Sequence, residues 1–237
     1  MTAPVRLEQA DGLTTLTLAR PERGNALGPE TVEALIEAVQ SVSTAASGSA
    51  GAHTLVLQAE GRHFCTGLDL SGLADLDDGA LLLRLVRIET LLQLVWHAPI
   101  RTVAVAQGRA WGAGADLFAA CEWRVAAADT TFRFPGARFG IVLGTRRLAE
   151  RVGAMAAREV TTGGGQWDCA QALALGLASH AQMPALTPPL VDAATAAALR
   201  DASREDRRDA DLAALVRSAA RPGLKQRIEA YRAALER

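Results

Sequence analysis

The sequence predicts an α/β fold, on three observations. Short β-rich runs alternate with helical segments through the first half of the chain, glycine-bearing turns mark their junctions, and the second half is helical. Strands separated by helices require crossover connections, which is the signature of the α/β class.

The runs 14–19 (TTLTLA), 53–59 (HTLVLQA), 101–107 (RTVAVAQ) and 123–127 (WRVAA) read as strands, being rich in Val, Leu and Thr and bounded by Gly, Pro or charge. A helix is predicted over about 29–42, where Val32, Leu35, Ile36, Val39 and Val42 recur at helical spacing and Pro29 suits the first turn. The Ser/Gly/Ala stretch 43–52 reads as a loop, and the Leu-rich segment 79–97 as a second helix. A further helix is expected from about Ala113 to Cys121. Ala- and Leu-rich helical segments follow over 145–179, 190–200 and 209–218, and Leu224, Ile228, Tyr231 and Leu235 form a last stripe. That stripe suits a subunit interface and internal packing equally. The Pro-containing stretch 183–189 divides a core, 1–182, from a helical C-terminal region, 183–237, within one structural unit.

Composition narrows the function classes. The 237 residues carry 25 basic and 26 acidic side chains, a net charge of -1, which gives no reason to expect a nucleic-acid partner. The longest apolar stretch, Leu81 to Trp96, is interrupted by Arg84, Arg87, Glu89 and Gln93, so it reads as an amphipathic helix and not a membrane span. Cys65, Cys121 and Cys169 are odd in number and far apart, matching neither a zinc spacing nor a disulfide framework. Buried reduced thiols and no metal are expected. The opening MTAPVRLEQADG lacks a signal-peptide pattern, and a cytoplasmic setting is expected.

Three glycine-containing turns carry the chemistry: PERGNAL (21–27), RHFCTGLDLSGL (62–73) and AQGRAWGAGADLFAACEWRVAA (106–127). Glycine permits left-handed backbone and close approach to a ligand. In the third turn a strand runs into Gly108, then Gly112-Ala113-Gly114, then a helix. A helix N-terminus offers unpaired N–H groups and partial positive charge, suited to a developing oxyanion.

In order and spacing these turns resemble the crotonase (enoyl-CoA hydratase/isomerase) superfamily. The matching segments are Pro21 to Leu27, His63 to Leu70, and Gly108 to Ala126; FRFPGARFGIVLG (132–144) resembles the family's pocket wall. The resemblance covers about residues 5–182. It implies a spiral of ββα units with a helical C-terminal region, and an acyl-CoA substrate, with coenzyme A entering as part of the substrate and no separate cofactor. It further implies two backbone donors, the N–H groups of Leu68 and Ala113, on the thioester oxygen, and a homotrimer or a pair of trimers. By position, the substrate-binding residues are Arg23, a candidate CoA phosphate contact that is equally a solvated loop arginine, Trp111, which shapes the acyl pocket or packs in the core, and Ala26, Cys65, Gly67, Gly112, Pro135 and Gly136. Lys225 is a candidate phosphate contact of a neighbouring subunit.

The acid–base residues depart from the hydratase pattern. Of the two hydratase glutamates, one is matched by Asp116 and the other by Gly136, which has no side chain. A single carboxylate can still shuttle a proton between carbons of an enolate. Asp116 in a first helical turn is expected to favour the ionised form. The expectation is isomerisation or hydration with Asp116 as the acid/base. The alternatives are a decarboxylase or thioester hydrolase on the same scaffold, or a catalytically silent CoA-binding subunit.

Overall fold

The computed structural model describes residues 3–10, 12–47 and 54–235. Its main sheet has five strands in the order β1(Val5–Ala10), β2(Leu13–Leu18), β3(Thr54–Ala59), β4(Arg101–Ala106), β6(Trp123–Ala126). β1 and β2 are an antiparallel hairpin, and every other neighbouring pair is parallel. The parallel pairs are joined by crossovers containing α1(Pro29–Ser47), α2(Asp78–Trp96) and α3(Ala113–Ala120). A second sheet of short strands, β5(Arg109–Trp111), β7(Thr131–Arg133) and β8(Gln166–Asp168), is continued by isolated bridges Cys65↔Ala110 and Leu27↔Leu68. Each circuit of the chain thus contributes one long strand, one short pairing and one helix, the predicted spiral.

The predicted strands and the helices expected over 79–97 and 113–121 stand within a residue or two of their expected bounds. α1 continues to Ser47, because Val42 and Ala46 extend its buried stripe through the stretch read as a loop; residues 48–53 of that stretch lie outside the described residues. The expected helical run 145–179 is broken. Gly153 (φ 83°) ends α4(Thr145–Val152) and starts α5(Ala154–Gly163), and β8 separates these from α6(Cys169–Leu175). Four strands were not predicted. β1 faces solvent along most of its length, so it lacks apolar alternation, and β5, β7 and β8 have three residues each.

The C-terminal helices are α7(Ala193–Ala202), α8(Arg208–Ala219) and α9(Leu224–Leu235). Leu215, Ala219, Leu224 and Ile228 close a satellite core with Leu73, Leu81, Leu85 and Ile141. The final stripe therefore packs inside its own chain at Leu224 and Ile228, and the Tyr231 ring packs at a tilt against Phe139, 5.2 Å between centroids. Asp78, at the start of α2, accepts from the backbone N–H of Gly223, Leu224 and Lys225 at 3.1, 3.0 and 2.8 Å, capping α9 from another helix. The three cysteines are buried and free. Among the described residues no helix is long and apolar enough to cross a membrane.

Candidate active site

Two of the glycine turns are pressed together. Cys65 N donates to Arg109 O at 3.1 Å, and Trp111 N donates to Cys65 O at 2.9 Å, so the second turn adds a strand-like pairing to β5. Close approach then demands glycine twice. A Cβ on Gly67 (φ 98°) would lie 2.8 Å from Trp111 O and 3.3 Å from Ala113 N. A Cβ on Gly114 would lie 2.4 Å from Cys65 O. Either contact is shorter than packed atoms tolerate, so a side chain at 67 or 114 would push the turns apart.

The first turn is clamped to the second by Asn25, a residue with φ 53° and 1% exposure. Its Nδ2 donates to Glu60 O (2.9 Å) and His63 O (2.8 Å), and its Oδ1 accepts from Arg20 N (2.9 Å). No functional role was read for Asn25 from the sequence; its signal was a polar residue just after Gly24 in a tight turn.

These clamps leave two amides unspent. Leu27 N donates to Gly67 O at 2.7 Å and Asp69 N to Leu27 O at 3.2 Å, so Leu68 turns its own N–H away from Leu27. Ala113 is the first residue of α3, with Gly112 (φ 55°) as its N-cap, and has no intrahelical acceptor for its N–H. Neither the Leu68 nor the Ala113 amide donates to any group among the described residues. Pro135 stands beside the same spot: a Cβ on Gly112 would meet the Pro135 ring and Gly67 Cα at 3.8 Å each. The sequence thus named residues that the fold does bring together: Gly67, Leu68, Gly112, Ala113 and Pro135.

Others are placed differently. Cys65 is 0% exposed, wedged against Gly114, and burial pushes its thiol up to about 12. It shapes the turn through its backbone and offers no contact surface, contrary to the expectation that it lines the substrate site. Trp111 Nε1 donates to Thr131 Oγ1 at 3.1 Å, and its ring is flanked by the Arg109 and Arg133 guanidiniums at 4.4 and 5.0 Å. Arg23 lies at the surface near Ala26, its Nη1 3.8 Å from Asp69 Oδ2 and 3.4 Å from Ser71 Oγ. Lys225 Nζ donates to Ala74 O of its own chain.

Asp116 is 6% exposed, and its carboxyl makes no hydrogen bond to a described residue. It presses on Gly144, where an added Cβ would lie 2.2 Å from Oδ1. Burial raises its pKa well above the ordinary carboxylate value; Arg147 pulls it down and Glu89 pushes it up. Desolvation outweighs the helix dipole, so the expectation of a carboxyl biased to the ionised form is corrected. Gly136 has no side chain, but there is room for one: an added Cβ would meet Ile141 O at 3.5 Å, an ordinary contact.

An α/β spiral with two glycine turns backed against each other defines a crotonase-type protein. More specifically, the chain belongs to the enoyl-CoA hydratase/isomerase family, whose model matches residues 8–228. It is 38% identical over 155 residues to a protein of Mycobacterium leprae assigned as an enoyl-CoA hydratase, covering 63% of this chain and 59% of that relative, so it spans less than two thirds of the relative's length. It is 30% identical over 183 residues to the ethylmalonyl-CoA decarboxylase of Mus musculus, covering 75% of this chain and 55% of the relative. A crystal structure from Bordetella parapertussis, assigned as an enoyl-CoA hydratase/isomerase, superposes with a TM-score of 0.90 at 41% identity, covering 97% of this chain and 98% of that one.

Proposed function

We propose that this chain binds an acyl-CoA thioester and moves a proton on its enolate, with the Leu68 and Ala113 amides holding the thioester oxygen. The observation that carries the reading is that these two amides, on abutting turns, are both without acceptors among the described residues. In the favoured reaction, allylic isomerisation of a β,γ-enoyl-CoA, ionised Asp116 removes a proton from the α-carbon. The electron pair flows to the thioester oxygen, and the resulting dienolate is held by the two N–H groups. Neutral Asp116 then returns the proton to the γ-carbon, the double bond moves to α,β, and the carboxylate is regenerated. A carboxyl with a raised pKa is the stronger base once ionised, and preorganised donors at the oxyanion provide the larger share of such acceleration. Hydration is disfavoured because Gly136 leaves no second carboxylate to hold a water.

A second reading is decarboxylation of a malonyl-type thioester, favoured by two observations: the 30% identical decarboxylase and an Asp116 biased to the neutral acid. Loss of CO2 leaves the electron pair on the same enolate without any base, and neutral Asp116 donates the proton to the α-carbon. Assays with 3-butenoyl-CoA, crotonyl-CoA and ethylmalonyl-CoA separate these reactions. Turnover of the first alone supports isomerisation, turnover of the third alone supports decarboxylation, and CoA binding without any turnover sinks both. A trimer-based assembly belongs to this reading, and light scattering on the purified chain tests it.

A further inference from the structure

Asp116 shares its dry surroundings with a buried ion pair that the proton transfer does not itself use. α3, which carries Asp116, packs against α2, α4 and β5. From α2 comes Glu89 and from α4 comes Arg147, each 1% exposed. Their contact is two-pronged: Arg147 Nη1 donates to Glu89 Oε2 at 3.1 Å, and Nη2 donates to Glu89 Oε1. Gln93 Nε2 adds a donor to Glu89 Oε1 at 3.0 Å. From α8, Asp211 Oδ2 comes within 3.5 Å of Arg147 Nη2, while Arg146 takes most of that carboxylate. The charged end residue of β5, Arg109, lies over the Trp111 ring.

Arg147 is held close to Asp116 by helix geometry. Gly144, the N-cap of α4, touches the Asp116 carboxyl, and Arg147 is three residues on, one turn along the same face. Arg147 also keeps one donor in reserve, since its Nε is buried without a partner. Among the described residues, a guanidinium with an unspent N–H therefore stands near a carboxyl with no hydrogen bond. A nearby cation holds a carboxylate in its ionised form and lowers its basicity, and Arg147 acts on Asp116 in that sense while Glu89 opposes it.

We propose that Glu89 is a positioning residue for the proton transfer, holding and neutralising Arg147 so that Asp116 stays unpaired and able to change its charge. This rests on the reading of Asp116 as the proton shuttle. The experiment is a pH titration of the Asp116 carboxyl by NMR on 13C-aspartate-labelled protein, assigned with Asp116→Asn. It is run on the parent, Glu89→Gln, Glu89→Asp and Asp211→Asn, and kcat and KM for 3-butenoyl-CoA are measured against pH beside it. Glu89→Gln is expected to lower the Asp116 midpoint and the acid limb of kcat by about 1–3 pH units, the effect of an uncompensated neighbouring cation, with KM little changed. Glu89→Asp, which keeps the charge, is expected to restore most of the parent profile. Asp211→Asn, at a less buried position, is expected to shift the midpoint the same way by less, and decides the matter should Glu89→Gln fail to fold. A midpoint unmoved in the folded variants overturns the positioning role. Full turnover by Asp116→Asn overturns the proton-shuttle reading itself and the positioning role with it.

Discussion

The two sides of the candidate site are built from different materials. The side proposed for the thioester uses main-chain amides fixed by glycine contacts and an asparagine clamp, so its geometry is a property of the fold. The side proposed for the proton uses one short buried carboxyl, tuned by charges on two other helices, Glu89 of α2 and Arg147 of α4. The first side is specified by where side chains are missing, at Gly67, Gly112 and Gly114, and the second by which side chains are present. Altering the backbone side should therefore affect every reaction of the site alike, whereas altering the carboxyl side should change which reaction runs.

The sharpest break of that contrast is Asp116→Asn. Isomerisation should fall by about 10²–10⁴-fold, the range for losing a positioned acid/base, while acyl-CoA affinity measured by calorimetry stays within a few-fold of the parent. Next comes Gly67→Ala. Its Cβ would press on Trp111 O and Ala113 N. Displacing one oxyanion donor should cost about 10²–10³-fold in kcat for whichever thioester is turned over, with Tm also lowered. An effect limited to one substrate class would show that the turns do not serve a common step.

Gly136→Glu adds to the proton side instead of removing from it. The position has room for a Cβ, so the variant should fold, and hydration of crotonyl-CoA should rise by up to about tenfold, well below a fully positioned second acid. No gain, with the fold intact, would show that position 136 does not face the reacting carbons.

A stability measurement gives a smaller effect on the same contrast. Asp116 has a raised folded pKa, so the folded chain keeps a proton there that the unfolded chain has already lost. Stability from this group is full below the ordinary aspartate pKa of about 3.9 and declines as pH rises through the folded value. Asp116→Asn should consequently melt above the parent at about pH 8, with the gap closing toward about pH 4. Calorimetry at both pH values reads it, and a parent that melts higher at about pH 8 would contradict the burial argument. Smallest is Arg23→Ala, where an exposed cation already near Asp69 is removed; KM for acyl-CoA should rise only a few-fold and kcat should hold, since an exposed pair is worth about 0–1 kcal/mol.

The same division explains what the sequence made legible. The strands and helices that position the turns were readable because Val32, Leu35, Ile36 and Val39, or the runs at 101–107 and 123–127, bury whole faces and leave a periodic trace. The abutting of the two turns was readable because close approach leaves glycine as its mark, at Gly67 and Gly114; the donors at Leu68 and Ala113 came from the family resemblance. Three-residue pairings such as β7 and β8 leave no such trace, because their register is imposed by neighbours distant in sequence. The protonation of Asp116 was read wrongly for a related reason. A first-turn carboxylate is a local pattern, but the burial that overrides it comes from α2 and α4, Glu89 lying 27 positions before it and Arg147 31 after it in the sequence. Asn25 was passed over because its role lies in carbonyls of Glu60 and His63.

Main-chain donors have a consequence for how such a protein changes over generations. Nearly any amino acid at 68 or 113 supplies an N–H, and only proline removes it, so codon drift at those two places leaves the proposed grip on the thioester untouched. A single base change can, by contrast, create or erase a carboxylate. A lineage built this way can abandon one reaction and acquire another while never losing its hold on the molecule it works upon.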